Sequence, residues 1–222
     1  MTRALRLLAL GLIASVAASA DNPGAASVGK WRAGTNYNVV PSPQPASARG
    51  RVDVNEVFWY GCGHCYALDP TLENWRETKA GYIDFRRTPV MWGPPHRQHA
   101  KLFYTLQALD RSDLHAKVFD AIHREGKMLA TNSNDDDAAR AMHLAFLKNH
   151  GVSEKDFNAA YDSEAVAKNL ERAQEVTQRF SVGSVPMLIV NGKYTTTVTM
   201  AGGSPGTLLS LVDDLAASER AR

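Results

Sequence analysis

Two cysteines, Cys62 and Cys65, are the residues of this 222-residue chain whose type and spacing point most directly to chemistry. They are the only cysteines in the sequence, and they lie in the motif Cys62-Gly63-His64-Cys65. A disulfide that closes so short a loop removes little entropy from the unfolded chain, so it stabilises a fold poorly. A disulfide-stapled secreted fold would instead distribute several cysteines along the chain. We therefore interpret the pair as a redox centre that alternates between dithiol and disulfide.

The surrounding sequence places the first cysteine at the start of a helix. Residues 52–60 form a β-prone run that begins as an alternation and ends continuously apolar, which predicts a buried strand, and residues 63–79 are rich in helix formers. At a helix N-terminus, unpaired backbone N–H groups and the helix dipole favour an anionic sulfur, and His64 can add a donor or a positive charge. We therefore expect the pKa of Cys62 to lie below its reference of about 8.5, and we take ~4 to 5 as a hypothesis for its value. Cys65, one turn into the helix, is expected to be a buried, protonated resolving thiol.

A lowered thiol pKa also predicts the direction of the redox reaction. A stabilised thiolate stabilises the reduced protein, so the disulfide form becomes a stronger oxidant. With a pKa of ~4 to 5, the potential of the pair rises by ~60 to 90 mV, enough to move a thioredoxin-like pair toward an oxidant.

Zinc binding is the main chemical alternative for a Cys-x-x-Cys motif, and it requires two further ligands. His96 and His99 have a suitable spacing, but they follow the loop Gly93-Pro94-Pro95 rather than a tight finger-like turn. No metal site is therefore predicted. The remaining histidines of the helical part are interpreted as surface or core residues: His115, His123, His143 and His150.

The N-terminus has the three parts of an export signal. Arg3 and Arg6 supply positive charge, residues 7–14 are apolar, and Ala18-Ser19-Ala20 matches the small-x-small pattern before a cleavage point. The apolar run is shorter than the ~20 residues of a membrane-spanning helix, which argues against the alternative of a retained anchor. We predict a signal peptide over residues 1–20, cleaved near Ala20.

The composition limits the other functions that the chain can have. Hydrophobic residues make up 44% of the sequence, enough for one well-packed core or a core with an insertion. The formal net charge is +2, and basic and acidic residues are interleaved along the chain. The sequence has no stripe of basic residues of the kind that binds nucleic acid, so nucleic acid is not expected as a partner.

The pattern of elements predicts an α/β fold. Residues 21–50, rich in Gly, Pro, Ser and Ala, predict an arm laid over the surface, with a short edge strand at 37–40. A strand, a helix and a second strand at 82–91 then form a βαβ unit. The predicted units are residues 51–95 and 181–222 as one domain and residues 96–180 as a helical insertion.

The predicted helices and turns carry local signals. Ser153 and Ser163 are predicted N-caps, Ser112 or Asp113 is placed to cap an earlier helix, and a polar break covers residues 132–135. The remaining signals are a strand at 187–190, the hairpin turn Asn191-Gly192, a second strand at 193–199 and a last helix at 207–218.

Three segments of the sequence resemble the DsbA family of thioredoxin-fold thiol–disulfide oxidoreductases. They are Glu56-Val57-Phe58-Trp59-Tyr60-Gly61-Cys62-Gly63-His64-Cys65, Val118-Phe119-Asp120-Ala121-Ile122-His123 and Ser184-Val185-Pro186-Met187. The resemblance extends from about Val52 to Leu215 and implies a thioredoxin-like fold with an inserted α-helical domain. The chain departs from the commonest family pattern at Gly63, where Pro usually precedes the histidine, and glycine loosens the turn between the two cysteines.

The resemblance also implies roles for residues outside the cysteine pair. It implies a cis peptide bond at Val185-Pro186 in a loop that binds the substrate chain, with Trp59 and Gly63 on the same docking surface. It further implies that Glu56 is a buried acid near the redox pair, and burial would raise its pKa and let it carry the proton of the resolving cysteine.

The function that this resemblance implies is that of a periplasmic disulfide donor. Its partners would be unfolded exported proteins with free thiols and a DsbB-type membrane protein that reoxidises it, and a monomer is expected. No cofactor is expected beyond the redox-active disulfide itself.

Two alternatives stay open at this level. A periplasmic isomerase or reductant could share the fold, although only a short arm precedes the core where such isomerases carry a dimerisation domain. A non-catalytic peptide-binding module could use the same groove while its disulfide stays inert.

Overall fold

A five-stranded mixed sheet forms the centre of the protein. The computed structural model describes residues 27–43 and 50–220. The strands of this sheet follow the order β3-β7-β6-β4-β5. Their bounds are β3 Asn38–Val39, β4 Val52–Phe58, β5 Ile83–Pro89, β6 Met187–Val190 and β7 Tyr194–Thr196, and a separate hairpin pairs β1 Ser27–Val28 with β2 Trp31–Arg32.

Strand β4 is central and leads directly into the redox motif. It pairs in parallel with β5 and antiparallel with β6, and all seven of its residues are buried. The prediction of a buried strand is therefore confirmed along the whole of β4. The carboxylate of Asp53 is buried and accepts a hydrogen bond from Arg86 Nε at 2.6 Å, because a central strand is covered on both faces.

Seven α-helices and one short 3-10 helix surround the sheet in the described residues. They are α1 Gly63–Thr78, α2 Pro94–Ala108, the 3-10 helix Ser112–Leu114, α3 His115–His123, α4 Asp136–Lys148, α5 Glu154–Tyr161, α6 Glu164–Arg179 and α7 Pro205–Arg220. Helices α1 and α7 cover the sheet face that carries Val52 and Val54, and α6 packs beside Val57 on the opposite face. None of the helices in the described part of the chain is long and apolar enough to span a membrane.

The helical region between β5 and β6, residues 94–179, packs on the end of the sheet. Phe58, Tyr60 and Cys65 belong to the same buried cluster as residues of α2 to α6. Phe58 is fully buried and its ring lies edge-on to those of Tyr60 and Phe103. The redox motif is therefore built against the helical region. The division of the chain at residues 95/96 and 180/181 stays a prediction.

Most of the local signals are confirmed. The side chains of Ser153 and Ser163 accept hydrogen bonds from the N–H groups of Asp156 and Val166, as N-caps do. Ser112 and Asp113, in contrast, do not cap a helix through their side chains, because they form the 3-10 turn before α3.

The predicted hairpin at Asn191-Gly192 is also confirmed. Both residues have a positive φ, 51° and 61°, and they form the centre of a turn closed by a hydrogen bond from the Lys193 N–H to the Val190 carbonyl at 3.0 Å. Strand β7 ends at Thr196 rather than at residue 199.

The N-terminal arm packs more closely than a surface tether. Strand β3 is an edge strand of the sheet, as predicted, and pairs with β7, but Trp31 and Tyr37 are also buried. The Trp31 indole N–H donates a hydrogen bond to Asp214 Oδ2 at 2.7 Å. The predicted signal peptide, its cleavage point near Ala20, and residues 21–26 and 44–49 of the arm lie outside the described residues.

Candidate active site

The turn between β4 and α1 holds the cysteine pair. Cys62 is the N-cap residue of α1, with extended backbone angles, and its N–H donates a hydrogen bond to the carbonyl of Trp59 at 3.0 Å. Both cysteines are free thiols, Cys62 half-buried and Cys65 fully buried. The predicted position of the first cysteine at a helix N-terminus is therefore confirmed.

The environment of Cys62 favours its thiolate. A hydrogen bond from the Cys65 thiol is the largest cause, and the backbone N–H groups of Cys65 and His64 and the charge of His64 add to it, while partial burial acts in the opposite direction. Together they lower the pKa of Cys62 from its ordinary value to about 6. The direction agrees with the prediction, but the expected pKa of ~4 to 5 is too low, because burial offsets part of the stabilisation at the helix N-terminus.

Cys65 has the opposite electrostatic environment. Burial raises its pKa far above the ordinary value, and the hydrogen bond to Cys62 and the negative charge of Glu56 raise it further. Cys65 is 0% exposed, so water does not solvate its anion. The two sulfurs therefore differ strongly in acidity, and the expectation of a protonated, buried second thiol is confirmed.

A loop from the C-terminal half of the chain lies against Cys62. The Val185-Pro186 peptide bond is cis, as the family resemblance implied. The Cys62 thiol donates a hydrogen bond to the Val185 carbonyl at 3.4 Å. Next to this contact lies a groove of about 480 Å³, lined by His64, Ala67, Leu68, Ser184, Val185, Pro186, Thr197, Val198, Thr199, Gly203 and Pro205. The sulfur is thus placed where a bound peptide could reach it.

Glu56 is buried beneath the redox turn, in agreement with the family resemblance. It is 2% exposed and accepts a hydrogen bond from Arg87 Nε at 2.8 Å. Burial raises the pKa of Glu56 to about 7, although the charge and the hydrogen bond of Arg87 oppose the shift. A carboxyl group with this pKa can both donate and accept a proton near neutral pH.

Arg87 connects Glu56 to two further acids. Its guanidinium contacts Asp69 at 2.9 Å and Glu73 at 2.6 Å, and its side chain is only 11% exposed. His115 Nε2 lies 3.3 Å from Asp69, and His115 Nδ1 lies 2.8 Å from the Tyr60 hydroxyl. Neither the arginine nor this histidine was identified from the sequence, because each lies more than twenty residues from the motif and no local pattern marks it.

The other predicted site residues lie around the redox turn. Gly63 and His64 are exposed, and Trp59 is half-buried with its indole 4.3 Å from the His96 ring. A Cβ built on Gly61 would collide with that indole, so the turn requires glycine there. An exposed Trp92 also contacts His96, and its N–H donates to the Val182 carbonyl at 2.7 Å, a neighbour that the sequence analysis missed.

The histidines considered as zinc ligands have other contacts. His99 Nε2 lies 2.7 Å from the carbonyl of Met128, and burial lowers the pKa of His99 to about 4. Within residues 27–43 and 50–220, no group of three or more His, Cys, Asp or Glu side chains is placed to hold a metal ion.

Known proteins similar to this chain are found at high coverage, although no family model matches the chain. The thiol:disulfide interchange protein DsbA of Pseudomonas aeruginosa is 37% identical over 216 residues, which cover 97% of this chain and 94% of the relative. DsbA of Burkholderia cepacia is 37% identical over 203 residues, covering 90% and 89%. The chain belongs to the DsbA family.

Solved structures agree with this assignment. The crystal structure of Pseudomonas aeruginosa DsbA has a TM-score of 0.76 and 38% identity, and the match covers 85% of this chain and 94% of that one. DsbA from Xylella fastidiosa has a TM-score of 0.74 at 25% identity, covering 84% and 96%. The protein is therefore a disulfide-donating thiol:disulfide oxidoreductase with a thioredoxin-like fold and a helical insertion, as predicted.

The lowered pKa of Cys62 predicts how the stability of this DsbA-family protein changes with pH. Because the folded pKa is about 6 and the ordinary value is 9.0, the thiolate stabilises the reduced protein fully above pH 9, and this stabilisation is lost as the pH falls through 6. We expect the thiolate absorbance of the reduced protein to titrate near pH 6. Urea denaturation should show that the stability of the reduced form, relative to the oxidised form, grows between pH 6 and 9. A titration midpoint near 9, or a difference in stability between the reduced and oxidised forms that does not change with pH, would contradict this account. Cys62→Ser, which has no thiolate at position 62, is the control for the absorbance measurement.

The geometry at Gly63 predicts that proline can replace it. Gly63 is the first residue of α1, a Cβ there meets no atom within 4 Å, and the extended backbone of Cys62 suits a residue before proline. We expect Gly63→Pro to raise the free energy of unfolding by about 0.4–1 kcal/mol. The thiolate midpoint should stay near 6, because the backbone donors to the Cys62 sulfur belong to His64 and Cys65.

Chemical denaturation of the reduced proteins measures this effect. The matched control is Gly61→Ala, which we expect to lose stability because its Cβ would meet the Trp59 indole. If Gly63→Pro is less stable than the wild type, the inference that proline fits at the first position of α1 is wrong.

Proposed function

We propose that this protein is a periplasmic disulfide donor that oxidises the thiols of newly exported, unfolded proteins. The observation that supports this most strongly is the contrast between a half-buried Cys62 with a lowered pKa and a fully buried Cys65 with a raised one. The periplasmic location rests on the export signal in the sequence and on membership of the DsbA family.

Donation proceeds through a mixed disulfide. A client thiolate attacks the sulfur of Cys62 in the oxidised protein, the Cys62–Cys65 bond breaks, and the electron pair leaves on Cys65. A second client thiolate then attacks the client sulfur of the mixed disulfide and expels Cys62 as a thiolate. The client loses two electrons and the protein gains them. Because a thiolate of low pKa is a good leaving group, the second step favours release of the oxidised client.

Glu56 supplies and removes the proton of Cys65. The anion that forms on Cys65 in the first step is buried and unfavourable, so it takes a proton from the neutral carboxyl group of Glu56. In the reverse direction the carboxylate of Glu56 removes that proton. Its pKa of about 7 permits both steps near neutral pH, and its charge is close enough to raise the pKa of Cys65.

The groove beside the cis-proline loop is the docking surface for the client chain. Val185 and Pro186 lie on one side of the Cys62 sulfur, and Gly63 and the half-buried Trp59 lie around the same turn. The apolar part of the groove suits an unfolded chain, which exposes apolar side chains, and the loop offers backbone groups for hydrogen bonds.

Reoxidation requires a partner that accepts two electrons, and a DsbB-type membrane protein fits this role. The Cys62 thiolate attacks a disulfide of the partner, Glu56 takes the proton of Cys65, and the Cys65 thiolate displaces the partner. This sequence restores the Cys62–Cys65 disulfide and leaves the partner reduced. No other cofactor is needed.

Disulfide donation is tested with the oxidised mature protein and a reduced, unfolded client that contains two cysteines. We expect stoichiometric oxidation of the client and no oxidation by Cys62→Ser. Cys65→Ser, with Cys62 first converted to its mixed disulfide with glutathione, should exchange with a client that has one cysteine, release glutathione and accumulate a Cys62–client disulfide on non-reducing gels. Equilibration with glutathione should give a potential clearly above the value of about −270 mV for thioredoxin. A thioredoxin-like potential would indicate a reductant, and client binding without oxidation would indicate a non-catalytic module. Recovery of the mature protein, without residues 1–20, from the periplasmic fraction of cells that express the full sequence checks the location.

The role of Glu56 predicts a specific change in the pH profile of reoxidation. In the wild-type protein, the rate at which Cys65 resolves a mixed disulfide should rise with pH through about 7, as Glu56 becomes a base. In Glu56→Gln we expect this inflection to disappear and the rate at neutral pH to fall at least about tenfold, because no proton acceptor remains. Stopped-flow measurements with a small disulfide provide the rates.

The matched control for this prediction is Glu73→Gln. Glu73 also contacts Arg87, but it is more exposed than Glu56 and its charge is not among the groups that raise the pKa of Cys65. The inflection should survive in this variant. If Glu56→Gln keeps a profile like the wild type, Glu56 does not carry the proton.

A further inference from the structure

The backbone carbonyl of Tyr60 has a partner from the helical region. Strand β4 ends at Phe58, so Tyr60 lies beyond the strand, two residues before Cys62. Its carbonyl oxygen lies 2.7 Å from Nε2 of His123, the last residue of α3. A carbonyl oxygen only accepts hydrogen bonds, so His123 Nε2 carries the hydrogen and donates it.

The ring of His123 is itself held in place. It stacks on the ring of Tyr66 with centroids 4.8 Å apart and an angle of 7° between the planes. The hydroxyl of Tyr66 donates a hydrogen bond to Asp120 Oδ1 at 2.9 Å, and Asp120 lies one turn before His123 in α3. Side chains of α3 and of the first turn of α1 therefore contact one another and hold the His123 ring beside the Tyr60 carbonyl.

Other contacts hold the two ends of the redox turn: the Tyr60 hydroxyl lies 2.8 Å from His115 Nδ1, and the Cys62 thiol donates to the Val185 carbonyl at 3.4 Å. Within the turn, the N–H of Cys62 donates to the carbonyl of Trp59, but the intervening Gly61 has no side chain to restrict its backbone. The Cys62 thiolate is stabilised by the Cys65 thiol and by the N–H groups of Cys65 and His64, so a small rotation of the turn would weaken those contacts. The hydrogen bond from His123 to the Tyr60 carbonyl restrains the peptide unit that joins Tyr60 to Gly61.

We propose that His123 is a positioning residue for the redox reaction, whose Nε2–H holds the Tyr60 carbonyl and thereby keeps the Cys62 sulfur over the N-terminus of α1. His123 touches no reacting atom and acts through the turn. The helical region thus contributes directly to the redox behaviour of the cysteine pair. This inference rests on the proposed function only in that the thiolate of Cys62 is the group that reacts.

Two substitutions at position 123 separate the hydrogen bond from the ring. His123→Phe keeps an aromatic ring for the stack on Tyr66 but removes the donor. His123→Gln removes the ring but keeps an amide N–H at a similar distance from the backbone. The matched control is His150→Phe, because His150 Nδ1 also lies 2.8 Å from a carbonyl oxygen, that of Phe146, within the helical region but away from the cysteines.

The readouts are the thiolate titration of Cys62 and the redox equilibrium with glutathione, measured on variants whose circular dichroism matches the wild type. We expect His123→Phe to raise the titration midpoint by about half a pH unit or more, which corresponds to about a threefold shift toward the oxidised protein at equilibrium. His123→Gln and His150→Phe should stay close to the wild type.

An unchanged midpoint in His123→Phe would overturn the proposal, and so would an equal shift in His123→Gln, which would assign the effect to the ring or its charge. If His123→Phe fails to fold, Tyr66→Phe tests the same support, because it releases Tyr66 from Asp120 and loosens the His123 ring. Tyr66→Phe should then raise the midpoint by a smaller amount than is expected of His123→Phe, and an unchanged midpoint would overturn the proposal. Disulfide donation by the wild-type protein is measured separately, so failure of the proposed function does not alter this result.

Discussion

The difference in acidity between two neighbouring sulfurs is the physical feature on which the chemistry of this protein depends. Cys62 lies at the N-terminus of α1, where N–H groups and the Cys65 thiol stabilise its anion, whereas Cys65 is enclosed by apolar side chains. The first sulfur can leave as a thiolate, and the second remains protonated until a base removes its proton. A strand, a tight turn and a helix generate this difference, because they place one cysteine before the first helical turn and the other inside it.

Charged residues beneath the redox turn show that stability is not the only requirement on this core. Glu56 and Asp69 are buried and share the guanidinium of Arg87. Removing such charges from water has a cost that their mutual attraction only partly offsets, so buried ion pairs are weak evidence of a stabilising role. An apolar residue at position 56 would avoid that cost. A carboxyl group whose pKa lies near neutral pH is instead suited to proton transfer.

The helical region is joined to the redox centre by packing and by hydrogen bonds. His115 contacts the Tyr60 hydroxyl, and His123 contacts the Tyr60 carbonyl. The apolar cluster that encloses Cys65 is formed largely by this region. The fold can therefore be described as a thioredoxin-like sheet whose reactive turn is completed by residues from the inserted helices.

Features that depend on near neighbours in the chain could be predicted from the sequence: the Cys62–Cys65 pair at a strand-to-helix turn, the caps at Ser153 and Ser163, and the tight turn at Asn191. Hydrogen-bonding side chains and backbone preferences determine such features over a few residues. Only the tertiary structure decided which distant residues meet at the site. Glu56 and Arg87 are 31 positions apart, and Tyr60 and His123 are 63 apart. The pKa of Cys62 belongs to this second group, because the burial that offsets the helix N-terminus comes from packing against other parts of the chain.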